Sequence, residues 1–204
     1  MMKYSIHTLR KKWFSPFLIF LAMLNCSCDE DDMVKIVFTG DSEIARWDLQ
    51  AYFPTEVTCN EGKSGSGLEH LQGQAGKFKG QTVVVLCGTN DLHKLGSEEA
   101  IEKYAADYVC AVSATGGSNI YAISVLPRAK EGDDEDMNRR VVALNLAIKA
   151  EIAKADDPRI MWVDVHELFL NDKGELDANL TYDGLHLNYL GYQLLANELN
   201  RYFL

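Results

Sequence analysis

Cysteine is scarce in this chain beyond its N-terminal region, and the spacing of the few present excludes common cysteine-based sites. Of the five cysteines, Cys59, Cys87 and Cys110 lie beyond residue 28, and none of them belongs to a CxxC pair. Structural zinc sites usually contain such pairs. Disulfide frameworks are typical of much smaller secreted domains. We therefore expect neither a zinc centre nor a set of structural disulfides.

The N-terminal apolar stretch is too short to cross a membrane. The segment WFSPFLIFLAML occupies residues 13–24, whereas a spanning helix takes about 20 apolar residues. The preceding residues 1–12 contain four basic side chains and no acidic one. A basic head followed by a short apolar core predicts a secretory signal peptide over residues 1–28. A retained membrane anchor is the alternative.

Two cysteines follow this apolar core in the segment NCSCDEDD. A cysteine in that place resembles a bacterial lipoprotein signal, in which it becomes the lipidated N-terminus. Cys28 has the small Ser27 before it, while Cys26 has apolar residues at the expected offsets, so both are candidates. The acidic residues 29–32 would form a spacer. This predicts an extracytoplasmic lipoprotein of the bacterial periplasm or cell surface, attached to the membrane only through a lipid anchor.

Basic residues are also in short supply. The whole chain has 20 basic and 30 acidic residues. Without residues 1–28 it keeps 16 basic and 30 acidic residues, a formal charge of −14. Such a surface repels a phosphate backbone, which argues against nucleic acid as a partner. An acidic surface suits neutral substrates, such as a small-molecule or carbohydrate ester.

Residues 33–204 have the composition of a globular protein and read as one domain, without internal repeats, low-complexity tracts or linkers. Apolar residues make up 47% of the chain and charged residues 25%. Strand-like runs alternate with helical patterns, which predicts an α/β fold: a three-layer, flavodoxin-like sandwich with a central parallel sheet. The predicted strands are 34–40, 55–60, 81–88, 119–127 and 159–165, and the predicted helices are 42–53, 64–78 (weak), 97–116, 135–155 and 189–204.

Four short motifs stand out against this pattern, and three of them follow a predicted strand. They are GDS at 40–42, NEGKSGSG at 60–67, GTND at 88–91 and DGLH at 183–186. Because the carboxyl ends of parallel strands share one edge of the sheet, the motifs can converge on one site.

The residue types in these motifs suit nucleophilic catalysis. A serine hydroxyl such as that of Ser42 needs a base within hydrogen-bond reach, and His186 can supply it. Asp183, three residues earlier, can hold the other ring nitrogen. The backbone N–H of Ser42 lies at a predicted helix N-terminus, and Asn90 offers an amide N–H, so both can stabilise an oxyanion. Asp41 more simply bonds the amides of its own turn.

Taken together, the four motifs resemble those of the SGNH hydrolases, the GDSL family of esterases and lipases. The resemblance covers nearly all of residues 34–204. It implies Ser42 as nucleophile, His186 as general base and Asp183 as the partner that orients it. It further implies an oxyanion hole formed by Ser42, Gly65 and Asn90. Glu43 departs from the family pattern, since many members carry an apolar residue there.

The resemblance implies hydrolysis of carboxylic esters through an acyl-serine, without cofactor or metal. From the acidic surface and the expected location, we expect a short acyl group such as acetyl on a carbohydrate. A lipid ester, as for a lysophospholipase, is the alternative.

Two other classes of protein use the same residues differently. A metal-dependent phosphoesterase would use Asp41, Asn90 or Asp91, and His186 as ligands, but the sequence lacks the dense His/Asp cluster that two metal sites need. A non-catalytic carbohydrate-binding lipoprotein would have the same fold. Three arginines, Arg128, Arg139 and Arg140, flank an acidic loop, and we expect them to be solvated.

Overall fold

Five parallel strands form the centre of the fold in the computed structural model, which describes residues 35–203. The strands are β1 (Ile36–Gly40), β2 (Thr58–Gly62), β3 (Thr82–Leu86), β4 (Asn119–Ile123) and β5 (Ile160–Val163). Their order in the sheet is β2-β1-β3-β4-β5, the flavodoxin-like order. The prediction of an α/β fold with a central parallel sheet is confirmed.

Helices cover both faces of this sheet. They are α1 (Ser42–Ala45), α2 (Leu49–Tyr52), α3 (Leu68–Gln72), α4 (Glu98–Ala114), α5 (Met137–Ala155) and α6 (Tyr189–Phe203), with 3₁₀ turns at Thr89–Lys94, His166–Phe169 and Ala178–Leu180. Helices α3, α4 and α5 pack on one face, and α1, α2 and α6 pack on the other. The sheet is therefore the middle layer of three.

Apolar side chains of the central strands supply both cores. Residues 83–86 of β3 are all buried, and successive side chains alternate between the two faces. Val83 and Val85 pack with α4 and α5, whereas Val84 and Leu86 pack with the α6 side. A strand buried on both faces needs this continuous apolar run, which is why the pattern is typical of parallel sheets.

The helix predicted over 42–53 is interrupted. The structure has α1 and α2 there, separated by the turn Arg46–Asp48. In this turn Trp47 enters the core and packs on Phe38 and Tyr192, each with a ring-centroid distance of 5.4 Å. The turn that buries this indole ends α1. Strand β2 is also shifted from the predicted 55–60, because its register with β1 begins at Thr58.

The N-terminal predictions concern residues outside this description. The signal peptide over 1–28, the acidic spacer 29–32 and the lipidation candidates Cys26 and Cys28 all precede residue 35, so these stay predictions. Within residues 35–203, no helix has the length and apolar character that a bilayer crossing requires.

Candidate active site

Ser42 lies where β1 ends and α1 begins, at the carboxyl edge of the sheet. Gly40 allows this tight turn: its φ is +148°, and a Cβ there would lie 1.9 Å from the carbonyl oxygen of Leu86. Asp41 caps α1, since its Oδ1 accepts the N–H of Glu43 at 3.0 Å. Ser42 itself is largely buried. The chain thus holds the Ser42 hydroxyl at the strand edge, on a turn that leaves no room for a side chain at residue 40.

His186 lies beside this hydroxyl, although 144 residues separate it from Ser42. Its Nε2 is 3.1 Å from Ser42 Oγ, and its Nδ1 is 2.7 Å from Asp183 Oδ2. The structure therefore brings Ser42, His186 and Asp183 into one hydrogen-bonded chain. With the proton on Nδ1, Nε2 is free to accept from the serine hydroxyl.

Asp183 is held in its ionised form. Its Oδ1 accepts the backbone N–H groups of His186 at 2.7 Å and Leu185 at 3.1 Å. Partial burial raises the pKa of this carboxyl, but the hydrogen bonds from His186 and Leu185 outweigh it and lower the pKa to about 2. An anion at this position favours the ring orientation that points Nε2 at Ser42.

The loop after β2 carries Gly65 next to the same edge. Gly65 is exposed with φ +74°, and nothing lies within 4 Å of where a Cβ would be. The loop is tied to the end of β1, because Lys63 N–H donates to the carbonyl oxygen of Gly40 at 3.0 Å. Ser66 Oγ donates within the loop, to the carbonyl oxygen of Lys63 at 2.7 Å. The space above Gly65 is open to an approaching substrate.

Asn90 lies in the 3₁₀ turn after β3. Its Nδ2 donates to the carbonyl oxygen of Ser66 at 2.8 Å. One amide hydrogen is used in that bond, and the amide has a second. Ser66 thus links the Gly65 loop to Asn90. The sequence did not single out this residue, because a serine in a Gly-Ser loop gives no signal of its own.

Asp91, which the sequence offered as a candidate metal ligand of a phosphoesterase, organises the loop that follows Gly65. Its Oδ2 accepts Leu68 N–H at 2.8 Å and the hydroxyl of Tyr104 at 3.1 Å, and Lys94 pairs with Oδ1 at 2.6 Å. A Cβ at Gly67 would lie 2.2 Å from this carboxylate. Burial raises the pKa of Asp91, but the bonds from Lys94 and Leu68 outweigh it and lower the pKa.

The expectation that Arg128 is solvated is wrong. Its side chain is buried, with 8% of the residue exposed. It makes two hydrogen bonds to Asp133, at 2.8 and 2.7 Å, and donates to the carbonyl oxygen and Oγ1 of Thr89 at 3.1 and 3.0 Å. Arg128 therefore braces the backbone directly before Asn90.

Two further carboxyls, Asp41 and Glu43, are buried on either side of Ser42. Burial, with a smaller effect from Asp91, raises the pKa of Asp41 to about 7. Burial and the neighbouring Asp41 raise the pKa of Glu43 to about 8. The surroundings of Ser42 thus favour the neutral form of Glu43 near neutral pH, whereas Asp41 is divided between its neutral and ionised forms.

One sizeable cavity of the described residues lies away from this edge. It is a groove of about 820 Å³ between the outer sides of α4 and α5, and neither Ser42 nor His186 lines it. Among residues 35–203, no group of three or more His, Cys, Asp or Glu side chains is arranged to hold a metal ion. The chemistry that this edge supports with its own residues is acyl transfer to serine.

Comparisons with known proteins give the same picture of the fold. Human platelet-activating factor acetylhydrolase IB subunit alpha1 is 26% identical over 183 residues, covering 84% of this chain and 76% of that protein. A GDSL-like lipase of Bacteroides thetaiotaomicron VPI-5482 is similar in structure, with a TM-score of 0.69, 20% identity and coverage of 82% and 86%. A catalytic mutant of an acetylxylan esterase from Geobacillus stearothermophilus gives a TM-score of 0.58, 17% identity and coverage of 82% and 93%.

The family model covers most of the domain and ends within the first part of the closing helix α6. The model described as the GDSL-like Lipase/Acylhydrolase family matches residues 37–194, which include GDS, GTND and DGLH. The predicted family and the prediction of an enzyme are confirmed, and the chain belongs to the GDSL-like lipase/acylhydrolase family of hydrolases.

Proposed function

We propose that this hydrolase cleaves carboxylic esters of short acyl groups, with acetyl on a carbohydrate as its leading substrate. Ser42 is the nucleophile, His186 the general base and Asp183 the residue that orients the ring. The observation that carries the proposal is the chain of hydrogen bonds from Ser42 Oγ through both nitrogens of His186 to Asp183, at 3.1 and 2.7 Å.

The reaction runs in two stages through an acyl-serine. Ser42 Oγ attacks the ester carbonyl while its proton passes to Nε2 of His186, and the alcohol leaves with that proton. Water then attacks the acyl-serine, giving its proton to the same nitrogen, and the acid is released as Oγ regains a proton. Asp183 stays ionised throughout, in keeping with its pKa of about 2.

The developing oxyanion needs donors placed before the reaction begins. We assign this role to the backbone N–H groups of Ser42 and Gly65 and to the second amide hydrogen of Asn90. The bond from Asn90 to Ser66 supports this assignment, because it fixes the orientation of the amide without using both of its hydrogens.

Two observations support a short acyl group. The cavity next to Ser42, which Asp41, Glu43 and Leu185 help to line, measures only about 10 Å³ and offers no slot for a long acyl chain. Two of the similar proteins are named for acetyl removal, one an acetylhydrolase and the other an acetylxylan esterase.

The leaving group would meet exposed aromatic side chains at the two ends of the loop that carries His186, residues 181–188, which we call the His186 loop. Tyr182 and Tyr189 are 76% and 62% exposed and bracket the segment that holds Asp183 and His186. Flat aromatic faces suit the C–H face of a sugar ring. The same tyrosines, together with the exposed Leu190, favour a lipid ester as the second candidate.

A panel of esters tests this proposal. We expect kcat/KM to be highest for p-nitrophenyl acetate and to fall with each longer acyl chain, and an acetylated xylo-oligosaccharide to release acetate. Ser42→Ala serves as the control and should be inactive on every substrate. A higher kcat/KM for octanoate than for acetate, or for a lysophospholipid than for the acetylated sugar, would reject the acetyl-carbohydrate assignment in favour of the lipid ester.

A further inference from the structure

Glu43, the residue directly after Ser42, joins α1 to the segment that carries His186. Its carboxyl oxygen Oε2 accepts the backbone N–H of Leu187 at 3.2 Å. The hydroxyl of Tyr192 donates to the carbonyl oxygen of Glu43 at 2.8 Å and lies 3.5 Å from Oε2. Residue 43 thus holds the start of α6 and the residue after His186 at the same time.

This link runs alongside the proposed catalytic contact. Ser42 meets His186, and the next residue on each side, Glu43 and Leu187, meet in turn, with the same separation of 144 residues. Some other hydrogen bonds of the His186 loop stay within it, such as the one from Thr181 Oγ1 to the carbonyl oxygen of His186. Another joins the loop to a different segment, since Ala129 N–H donates to the carbonyl oxygen of Gly184. The hydrogen bond from Leu187 to Glu43 therefore connects the His186 loop to α1, the helix that carries Ser42.

A buried carboxyl at this position costs free energy that packing alone does not explain. Glu43 is 3% exposed, and its second oxygen, Oε1, has no hydrogen-bond partner within the described residues. Burying a polar atom without a partner costs free energy that an apolar side chain of similar size avoids. The bond to Leu187 is what the carboxyl provides and an apolar side chain does not.

We infer that Glu43 is a positioning residue, which fixes the His186 loop against α1 and so sets the distance between Ser42 Oγ and His186 Nε2. The inference rests on the proposed function, in which that distance governs the first proton transfer. A misplacement of reacting groups by about 1 Å can lower a rate 10²-fold, so a small shift of the loop is enough to matter.

Three variants separate this role from simple packing. Glu43→Gln keeps an acceptor for Leu187, and since burial raises the pKa of Glu43 to about 8, glutamine also copies the neutral form present at neutral pH. Glu43→Leu introduces an apolar side chain of similar bulk, which has no acceptor for Leu187. Glu43→Met is a second apolar variant with an unbranched shape, for use if leucine does not fold.

Steady-state kinetics on p-nitrophenyl acetate and thermal unfolding are measured together on the full-length chain. We expect Glu43→Leu and Glu43→Met to lose about 10- to 100-fold in kcat with little change in KM, and to unfold at the wild-type temperature or above it. Glu43→Gln should keep kcat within about threefold of wild type. If Glu43 served only in packing, its replacement would not lower kcat while leaving the stability unchanged.

Several results would overturn the inference. If Glu43→Leu or Glu43→Met keeps wild-type kcat, or if Glu43→Gln falls as far as they do, the acceptor does not position His186. If kcat falls only in proportion to lost folded protein, the role is packing. These outcomes leave the proposed function standing as long as the wild type turns over and Ser42→Ala does not. A wild type without Ser42-dependent turnover removes both proposals.

Discussion

At the scale of single residues, the proposed chemistry depends on how each polar atom is already occupied. Asn90 gives one amide hydrogen to Ser66 and has another to offer. Asp183 accepts two backbone N–H groups with one oxygen and the ring of His186 with the other. Each side chain is thus held by bonds to the protein before substrate arrives, which is the condition for an oxyanion hole and a base that need no rearrangement.

Replacing Asn90 tests its donor role. We expect Asn90→Ala to lose about 10²–10³-fold in kcat with KM little changed, because the oxyanion exists fully only after attack. Asn90→Asp should be at least as damaging, since a carboxylate repels both the oxyanion and the carbonyl oxygen of Ser66. Circular dichroism must first show that the variants fold. An active Asn90→Asp enzyme would show that this residue only shapes its turn.

The buried acids beside Ser42 make stability depend on pH. The pKa of Glu43 rises from 4.5 to about 8 and that of Asp41 from 3.8 to about 7 on folding. Groups whose pKa is raised on folding contribute stability at low pH and lose it as pH rises through the folded value. Asp183 acts in the opposite sense, but with a pKa lowered to about 2 it changes only in more acidic solution.

We therefore expect the midpoint of thermal unfolding to fall as pH rises from about 5 to about 8. Glu43→Gln cannot ionise and should show a smaller fall over the same interval. The measurement is a series of melting curves of both proteins across that range. Equal slopes for the two proteins would mean that Glu43 is not buried as a neutral acid.

Ser42, Asp183 and His186 could be predicted from the sequence because each stands in a motif whose residue types fit one reaction. The partners of Glu43 and Arg128 could not be predicted. Glu43 meets Leu187, and Arg128 meets Thr89 across 39 residues, so both contacts depend on how loops pack at the sheet edge. Arg128 stands among acidic residues in sequence, which favours an interpretation as a solvated charge until the burial is known.

At the scale of elements, three loops at the carboxyl edge are joined by side chains below the site. The strand order places β1 and β3 side by side, so the turn at Ser42 and the 3₁₀ turn Thr89–Lys94 are neighbours. Asp91 joins this 3₁₀ turn to the start of α3 through Leu68 and to α4 through Tyr104. The predicted elements were correct in type and order, but the break between α1 and α2 depends on the burial of Trp47 and was not predicted.

Removing the carboxylate of Asp91 should loosen this junction. Asp91→Ala leaves Leu68 N–H and the hydroxyl of Tyr104 without an acceptor, and each buried unpaired group costs about 1–3 kcal/mol of unfolding free energy. We expect a total loss of about 2–6 kcal/mol in chemical denaturation and a lower kcat as the Gly65 loop moves. The matched control is Lys94→Ala, which removes only the exposed partner and should cost at most about 1 kcal/mol.

The two variants together decide what Asp91 does. If Lys94→Ala destabilises the protein as much as Asp91→Ala, the surface ion pair and not the junction is responsible. If Asp91→Ala keeps both its stability and its kcat, the hydrogen bonds to Leu68 and Tyr104 do not hold the site together.

At the scale of the whole molecule, the chain combines a strongly acidic composition with a hydrolase fold whose proposed site lies at one sheet edge. The acidic excess and the fold class were both readable from the sequence, since composition and alternating patterns are properties of the whole chain. The groove between α4 and α5 could not be predicted from the sequence. It arises from the spacing of two helices, whose outer residues show only ordinary amphipathic patterns.

The reaction should need no metal. The proposed steps use only Ser42, His186, Asp183 and the oxyanion donors, so exhaustive dialysis against EDTA should leave kcat on p-nitrophenyl acetate unchanged. Activity that is lost in EDTA and restored by a divalent cation would favour the phosphoesterase alternative, with Asp41, Asn90 or Asp91, and His186 as ligands.

Covalent labelling of Ser42 is the most direct test of the central claim. The folded full-length chain is treated with a fluorophosphonate, and intact mass and peptide mapping count and locate the adduct. We expect one adduct per chain, on the peptide that contains Ser42. Ser42→Ala should not be labelled, and His186→Ala should be labelled far more slowly because the base is absent. Labelling that survives in Ser42→Ala, or an adduct that maps to another residue, would contradict the account.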